Sequence, residues 1–349
     1  MKCLCCLLVL VMSLGATSLK RVTDANGDTL AVVVPAAWGV QFRSQTETDD
    51  LTPYLKQLRE AVKLNVVAAN AESASAVRAA IRKFYPPGAR PAVSVVIGAT
   101  RRNVPLEFDA VEATHHDDDD AKRGPLLFIS GQAEKGATPA EAATKTLASL
   151  GRTLKSLGGL PSHVVQARCF LNPMSSRWDV AEVALEAGLV PVSFVEWRSD
   201  LPVEIELVAN GLRQPEGAPA IEYLTPPGST ASPLFARVVR VNRGDLIFIG
   251  DLHAEKAGTG EEQVMSIFAQ LQDVLKKTNS DLRHLVKATY YVSDEDASKQ
   301  LNVLRPKFYD PARPPAASKA MVPAVGVPDR SITIDMIAIP TTQPAAAKP

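Results

Sequence analysis

The feature that most limits what this chain can fold into is that it repeats itself. Gly124-Pro-Leu-Leu-Phe-Ile-Ser-Gly-Gln132 lines up with Gly244-Asp-Leu-Ile-Phe-Ile-Gly-Asp251, each a short apolar strand closing at glycine. Ala-Glu-Lys follows both, at 133–135 and 254–256. Thr138-Pro139-Ala140-Glu141 and Thr259-Gly260-Glu261-Glu262 then read as capping boxes, in which hydroxyl and carboxylate satisfy N–H groups that a first helical turn leaves unpaired. Ala143, Leu147, Leu150, Leu154 and Leu157 step by fours and threes, as do Val264, Phe268, Leu271 and Leu275, so each set forms one face of a helix. Next, His163-Val-Val-Gln-Ala-Arg-Cys-Phe-Leu171 matches His284-Leu-Val-Lys-Ala-Thr-Tyr-Tyr-Val292. Each copy closes on an alternating strand, Val203-Glu-Ile-Glu-Leu-Val-Ala209 or Ile332-Thr-Ile-Asp-Met-Ile-Ala338, whose acids read as pointing outward from a sheet with one buried face.

A weaker third copy is expected upstream. Ala31–Pro35 and Val40–Ser44 would open it, Leu51, Tyr54, Leu55, Leu58 and Val62 would form its helical stripe, and Val66–Ala69 its middle strand. Ala92–Gly98 and Leu106–Val111 would close it. An unrelated small α+β cap domain is the competing reading of this stretch. At 349 residues the chain has room for two or three domains. The expected division is a degenerate copy at 19–113, a copy at 114–210, a linker at 211–233 rich in Pro and Gly, a copy at 234–340, and a tail at 341–349. The run from Thr114 to Ala121 is a charged joint, and its His115-His116 and four aspartates suit a solvated loop better than a divalent-cation site.

Residues 1–18 read as a secretory signal peptide. Lys2 precedes an apolar run from Cys3 to Leu14, and small residues follow at Gly15, Ala16 and Ser18. The run falls short of the ~20 residues of a membrane span, and an uncleaved anchor or a buried first helix are the alternatives. Cleavage would remove three of the four cysteines and leave Cys169 alone, so a periplasmic or extracellular protein without an intrachain disulfide is expected. Lys+Arg and Asp+Glu are both 38, and aromatics are 5% of the chain. Neither a basic surface nor base-stacking platforms are to be expected, which argues against nucleic-acid binding. The sequence has no phosphate-binding loop, dinucleotide fingerprint, zinc motif or serine-nucleophile elbow.

Taken in order, Phe128-Ile-Ser-Gly-Gln132, the helix after it, the strand Val164–Leu171 and Val203-Glu-Ile-Glu206 resemble the Rid (YjgF, L-PSP) family. Phe308-Tyr309-Asp310-Pro311 and Pro314-Pro315-Ala316 are similar to that family's Pro-rich approach to its penultimate strand. The resemblance covers 124–210 and 235–340 well and 28–113 faintly. It implies an α+β fold of chorismate-mutase type, each unit a mixed sheet with two helices on one face. It further implies homotrimers with ligand clefts between subunits, and metal-free hydrolysis of enamines or imines to ammonia and a 2-keto acid. Three copies in one chain imply a pseudo-trimer built from a monomer.

The resemblance also implies site residues. A family arginine after a Pro-Ala pair grips the substrate carboxylate through a two-pronged hydrogen bond, and a glutamate on the last strand positions water. The second copy keeps Ser130, Gly131, Gln132 and Glu204, but Val192 stands at the arginine position. The third offers Gly250 with Ile249 in place of serine, Thr333 in place of glutamate, and Ala317 or Ser318 in place of arginine. The first keeps Glu107 but has Val93 for arginine and Arg43-Ser44 at the turn. Glu204 and Glu107 are therefore the candidate catalytic groups. Ser130, Gly131, Gln132, Gly250, Arg198 and Arg313 are the candidate binding groups, with the arginines reaching across a joint. No cofactor or metal is expected, and the partner is a small molecule. The alternative is a catalytically inactive binding or interaction module on the same scaffold.

Overall fold

The computed structural model describes residues 18–58, 60–115 and 123–341. Most of the expected signal peptide at 1–18, the acidic part of the charged joint and the tail from residue 342 lie outside the described residues.

The first segment contains β1 (Lys20–Thr23), β2 (Thr29–Val34), β3 (Gly39–Phe42), β4 (Thr46–Thr48), α1 (Thr52–Leu55), β5 (Ala61–Ala68), α2 (Ala71–Phe84), β6 (Ala92–Ile97) and β7 (Leu106–Thr114). The middle segment contains β8 (Leu126–Gln132), α3 (Pro139–Ser156), β9 (Val164–Leu171), α4 (Arg177–Glu186), β10 (Val192–Glu196) and β11 (Val203–Asn210). The last contains β12 (Ile221–Leu224), β13 (Val238–Val241), β14 (Leu246–His253), α5 (Gly260–Lys277), β15 (Leu285–Val292), α6 (Glu295–Leu304), β16 (Ala316–Met321), β17 (Ala324–Val325) and β18 (Ile332–Ala338). The fold is mixed α+β, and one strand order recurs. The middle sheet runs β10-β9-β11-β8 and the last β16-β15-β18-β14, while the first runs β6-β5-β7 with β3 and β4 both on β7. The β9–β10, β15–β16 and β5–β6 pairs are parallel, and a further parallel pairing of β2 with β6 joins the first and last segments into one 12-stranded sheet.

The helices form where their caps and stripes place them. Thr138 and Thr259 each accept a backbone N–H at the start of α3 and α5, and Glu262 completes its box by accepting from Thr259 at 2.8 Å. The Leu147–Leu154 stripe packs into the middle core and the Val264–Leu275 stripe into the last. In the first segment the expected stripe is not one helix. α1 spans four residues, and Val62 belongs to β5, which is buried at seven of its eight positions. β5, with valine at 62, 66 and 67, lies between β6 and β7, and burial on both sides outweighs the helical spacing. The full helix of this segment is α2, capped by Asn70, so the expected two helices on one face are reduced to one helix and a single turn.

The segments exchange strands, which the sequence reading did not foresee. The β1–β2 pair does not open the first sheet. It extends the last one, with β2 antiparallel to β14. The stretch read as a linker contains β12, and the β12–β13 pair extends the middle sheet through β8. The boundary at 233/234 therefore falls inside one hairpin. Apolar residues of all three segments meet in one inner core, including Val32, Phe42, Phe128, Val208, Phe248 and Val286.

Candidate functional site

Two levels on the closing strands carry most of the charge. Glu107, Glu204 and Thr333 pair with Val67, Phe170 and Tyr291. Two residues further along, Asp109, Glu206 and Asp335 pair with Asn65, Arg168 and Thr289. The second set is buried, so the acids Glu206 and Asp335 do not face outward as alternation suggested. The reason is that the second face of each sheet packs against the other two segments rather than meeting water.

Each of these inner acids meets a cation of the next segment. Arg168 donates to both oxygens of Asp109 at 3.3 and 3.2 Å, Lys287 to Glu206 at 2.7 Å, and Lys63 to Asp335 at 2.8 Å. The sequence reading missed this closed cycle of ion pairs. Three charged residues inside otherwise apolar middle strands were its only signal. Burial works against the charge of Asp335, but Lys63 and the Ser94 hydroxyl overcome it and hold the carboxyl below its usual range. Lys287 is pulled down by burial despite Glu206. Asp335, Arg168, Lys63, Gln166 and Lys287 line a small central cavity.

The outer level lies at the joints, and the three joints differ. Between the first and middle segments Glu107 is 1% exposed and fully engaged. Both its oxygens accept from Arg177, at 2.7 and 2.8 Å, and the Arg101 N–H adds a third bond at 2.9 Å. With three donors on it, the Glu107 carboxylate, expected as a base, links the two segments here.

Between the middle and last segments Glu204 is half-buried, with no such clamp. Its carboxyl lies beside Gly131 on β8 and Ser318 on β16. A Cβ built on Gly131 would fall inside the carboxyl and 2.6 Å from the Ser318 hydroxyl. Burial raises the Glu204 pKa to about 7, Glu206 adds to the rise, and Ser318 and Lys319 oppose it. The other expected binding groups of this joint are occupied. The Ser130 hydroxyl donates to Ala236 O at 2.6 Å and accepts from Ala317 N at 2.7 Å, so it ties the two segments together. Gln132 turns back to Thr153 on its own helix. Arg198 reaches the last segment through its backbone N–H to Met321 O, with its side chain exposed. Arg313 acts on Tyr223. Among the described residues no hydrogen bond or ion pair joins either arginine to Glu204. By register Val93, Val192 and Ala317 share one position, so the expected arginine place falls on Ala317 and not Ser318.

Between the last and first segments the register corrects the alignment of the turn. Gly250 occupies the level of Ser130, and Asp251 that of Gly131. Gly250 has a close-approach role of its own, because a Cβ there would meet the Lys63 ammonium and lie 3.2 Å from the Ser94 hydroxyl.

His163 and His284 cap short turns before β9 and β15, through Leu160 N at 3.3 Å and Asp281 at 2.7 Å. Cys169 is buried, and burial pushes its thiol to about 12, as expected for an inert packing residue. Among the described residues no cluster of His, Cys, Asp and Glu is arranged to hold a metal, and no helix is long and apolar enough to cross a membrane.

Residues 238–340 match the family model described as Endoribonuclease L-PSP. No curated protein matches the chain. Among solved structures, a YjgF-family protein from Neisseria meningitidis is 23% identical, covering 35% of this chain and 96% of its own, with a TM-score of 0.27. A YjgF-family member from Mycobacterium tuberculosis is 31% identical over 25% of this chain and 80% of its own, with a TM-score of 0.24. A Rid-family protein of unknown function from Yersinia pestis is 22% identical over 35% and 99%, with a TM-score of 0.32.

Proposed function

We propose that the chain is three Rid-like units closed into a ring within one molecule, and that it binds and hydrolyses small imines at the joint between the middle and last segments. The observation that carries this reading is Glu204. It is a half-buried carboxyl at a joint, set over a glycine, with a pKa near neutrality. A base of that strength is half ionised near pH 7 and can still take a proton from water. Glu204 accepts a proton from a water whose oxygen attacks the imine carbon. The proton passes to the nitrogen to give a carbinolamine; its hydroxyl proton is then carried to the amine by the same carboxylate, the C–N bond breaks, ammonia leaves, and a carbonyl remains. Lys319 is the cation whose field reaches Glu204, and the substrate's own carboxylate is recognised there in place of the absent arginine. The match of 238–340 to the L-PSP model and the cyclic contacts among the three segments support the scaffold half of the proposal.

The test is ammonia release from enzymatically generated 2-iminopropanoate by the purified full chain. The expected result is a rate above buffer that rises with pH through about 7 and is lost in Glu204→Gln. Light scattering should give the mass of one chain. The valines and alanine at positions 93, 192 and 317 favour a second reading, a binding module without turnover. Absence of ammonia release with every imino acid tried would select it.

A further inference from the structure

The joint between the last and first segments lacks the outer glutamate but not the carboxylate. Thr333 stands at the level of Glu204, and Asp251 at the level of Gly131. The exchange is reciprocal. A long acid on the closing strand requires glycine on the facing bulge, because a Cβ there would collide with it. A short threonine on the closing strand leaves room for a side chain on the bulge. The Thr333 hydroxyl then donates to Asp251 Oδ1 at 3.0 Å. The acid enters the same space from the opposite strand. Asp251 does so with a φ of 53°, a conformation that glycine would adopt more easily. A carboxylate held against backbone preference, at the wall of a cavity, points to use rather than packing.

Its partner also comes from an unexpected element. Arg78 of α2 forms an ion pair with Asp251 Oδ2. The arginine side chain is 23% exposed and the aspartate 5%, so the arginine is the member of the pair with access to solvent. Both residues line a small pocket that Leu30, Val93 and His253 help to enclose. The neighbouring Arg90 is committed to Gly27 O at 2.7 Å and to Asp28. Arg82 is committed to the same aspartate. Asp24 accepts the backbone N–H groups of Asn26 and Asp28, and Arg78 and Asp251 are the charged pair that remains.

A ligand with one charge would separate this pair and leave one member without its counter-charge, which is costly where water is scarce. A ligand with both charges replaces the pair charge for charge. We propose that this second joint is a binding site for a small aliphatic α-amino acid. Its carboxylate would lie on Arg78, its ammonium on Asp251 and its side chain against Leu30 and Val93. The site is independent of Glu204 and of imine hydrolysis.

Calorimetric titration of the full chain with L-valine tests it, with isobutyrate and isobutylamine as single-charge probes. Saturable binding of L-valine is expected, at least tenfold tighter than either probe. It should weaken at least tenfold in Arg78→Gln and in Asp251→Asn, and stay unchanged in Glu204→Gln. Val93→Phe, which narrows the cavity without touching the ion pair, should also weaken it, and thermal melting would show that each variant is folded. The proposal is overturned by no saturable binding of L-valine, by equal binding of isobutyrate, or by binding that survives Arg78→Gln in a folded protein. Loss in Glu204→Gln alone would place the ligand at the other joint and count equally against it.

Discussion

Replacing Glu204 with glutamine should alter the pH dependence of stability in a way no ordinary surface carboxylate would. In the folded chain burial first, and the Glu206 charge second, push the Glu204 pKa to about 7 from an ordinary 4.5. Between those two values the native state holds a proton that the unfolded state has released. Stability therefore falls as pH rises from about 4.5 to 7, and is level again above that range. At about 1.4 kcal/mol per tenfold difference in proton affinity, the gap amounts to about 3 kcal/mol. About 2 kcal/mol is expected once the solvent access of a half-buried group is allowed for. Glutamine keeps the shape and cannot ionise. Urea unfolding of both proteins at pH 5 and pH 8 is the assay. The variant should match or fall slightly below the wild type at pH 5 and exceed it by about 2 kcal/mol at pH 8. If both curves change equally between the two pH values, Glu204 is an ordinary exposed acid, and the base assigned to it loses its physical ground.

Arg168→Met should cost about 3–5 kcal/mol, because it takes the counter-charge from Asp109 in a dry interior, while Glu206 keeps Lys287. Urea midpoints would show this, and pairing it with Asp109→Leu should recover part of the loss. Gly131→Ala places a methyl group where the Glu204 carboxyl sits. A cost of about 1–3 kcal/mol from overpacking and loss of ammonia release are expected, read by unfolding and by rate. Cys169 should resist iodoacetamide in the native protein and react after unfolding in urea. Peptide mapping by mass spectrometry separates it from the three cysteines at the N-terminus.

The repeat made much of the fold legible. Caps at Thr138 and Thr259 and the leucine stripes behind them are local signals, satisfied by local partners, and they hold in the structure. Strand exchange was not legible, because β2 and β13 look the same in sequence whichever sheet edge accepts them. Their hydrogen bonds carry no address, and the turns at Pro35–Trp38 and Asn242–Asp245 would suit a local hairpin equally well. The site was legible in part. Glu204 and Gly131 could be found because a known arrangement pairs a glycine turn with a closing-strand acid. Asp251 could not, since it answers Thr333 rather than any motif.

The inner ion pairs failed for a different reason. Alternation says which side chains share a face and nothing about what covers that face. A closing strand reading Glu-Ile-Glu fits a wet outer face as well as a dry interior supplied with cations from a neighbour. The separating signal was not in the strand but in its partners. Lys63, Arg168 and Lys287 each interrupt an apolar middle strand, one per segment, and a lone cation buried without an acid would be costly. Three cations in the middle strands and three acids in the closing strands balance only if each segment meets the next. That balance ties the fold to the joints. The contacts that close the cycle also fix β8 against β16 and β14 against β6, and so set the spaces into which Glu204 and Asp251 project.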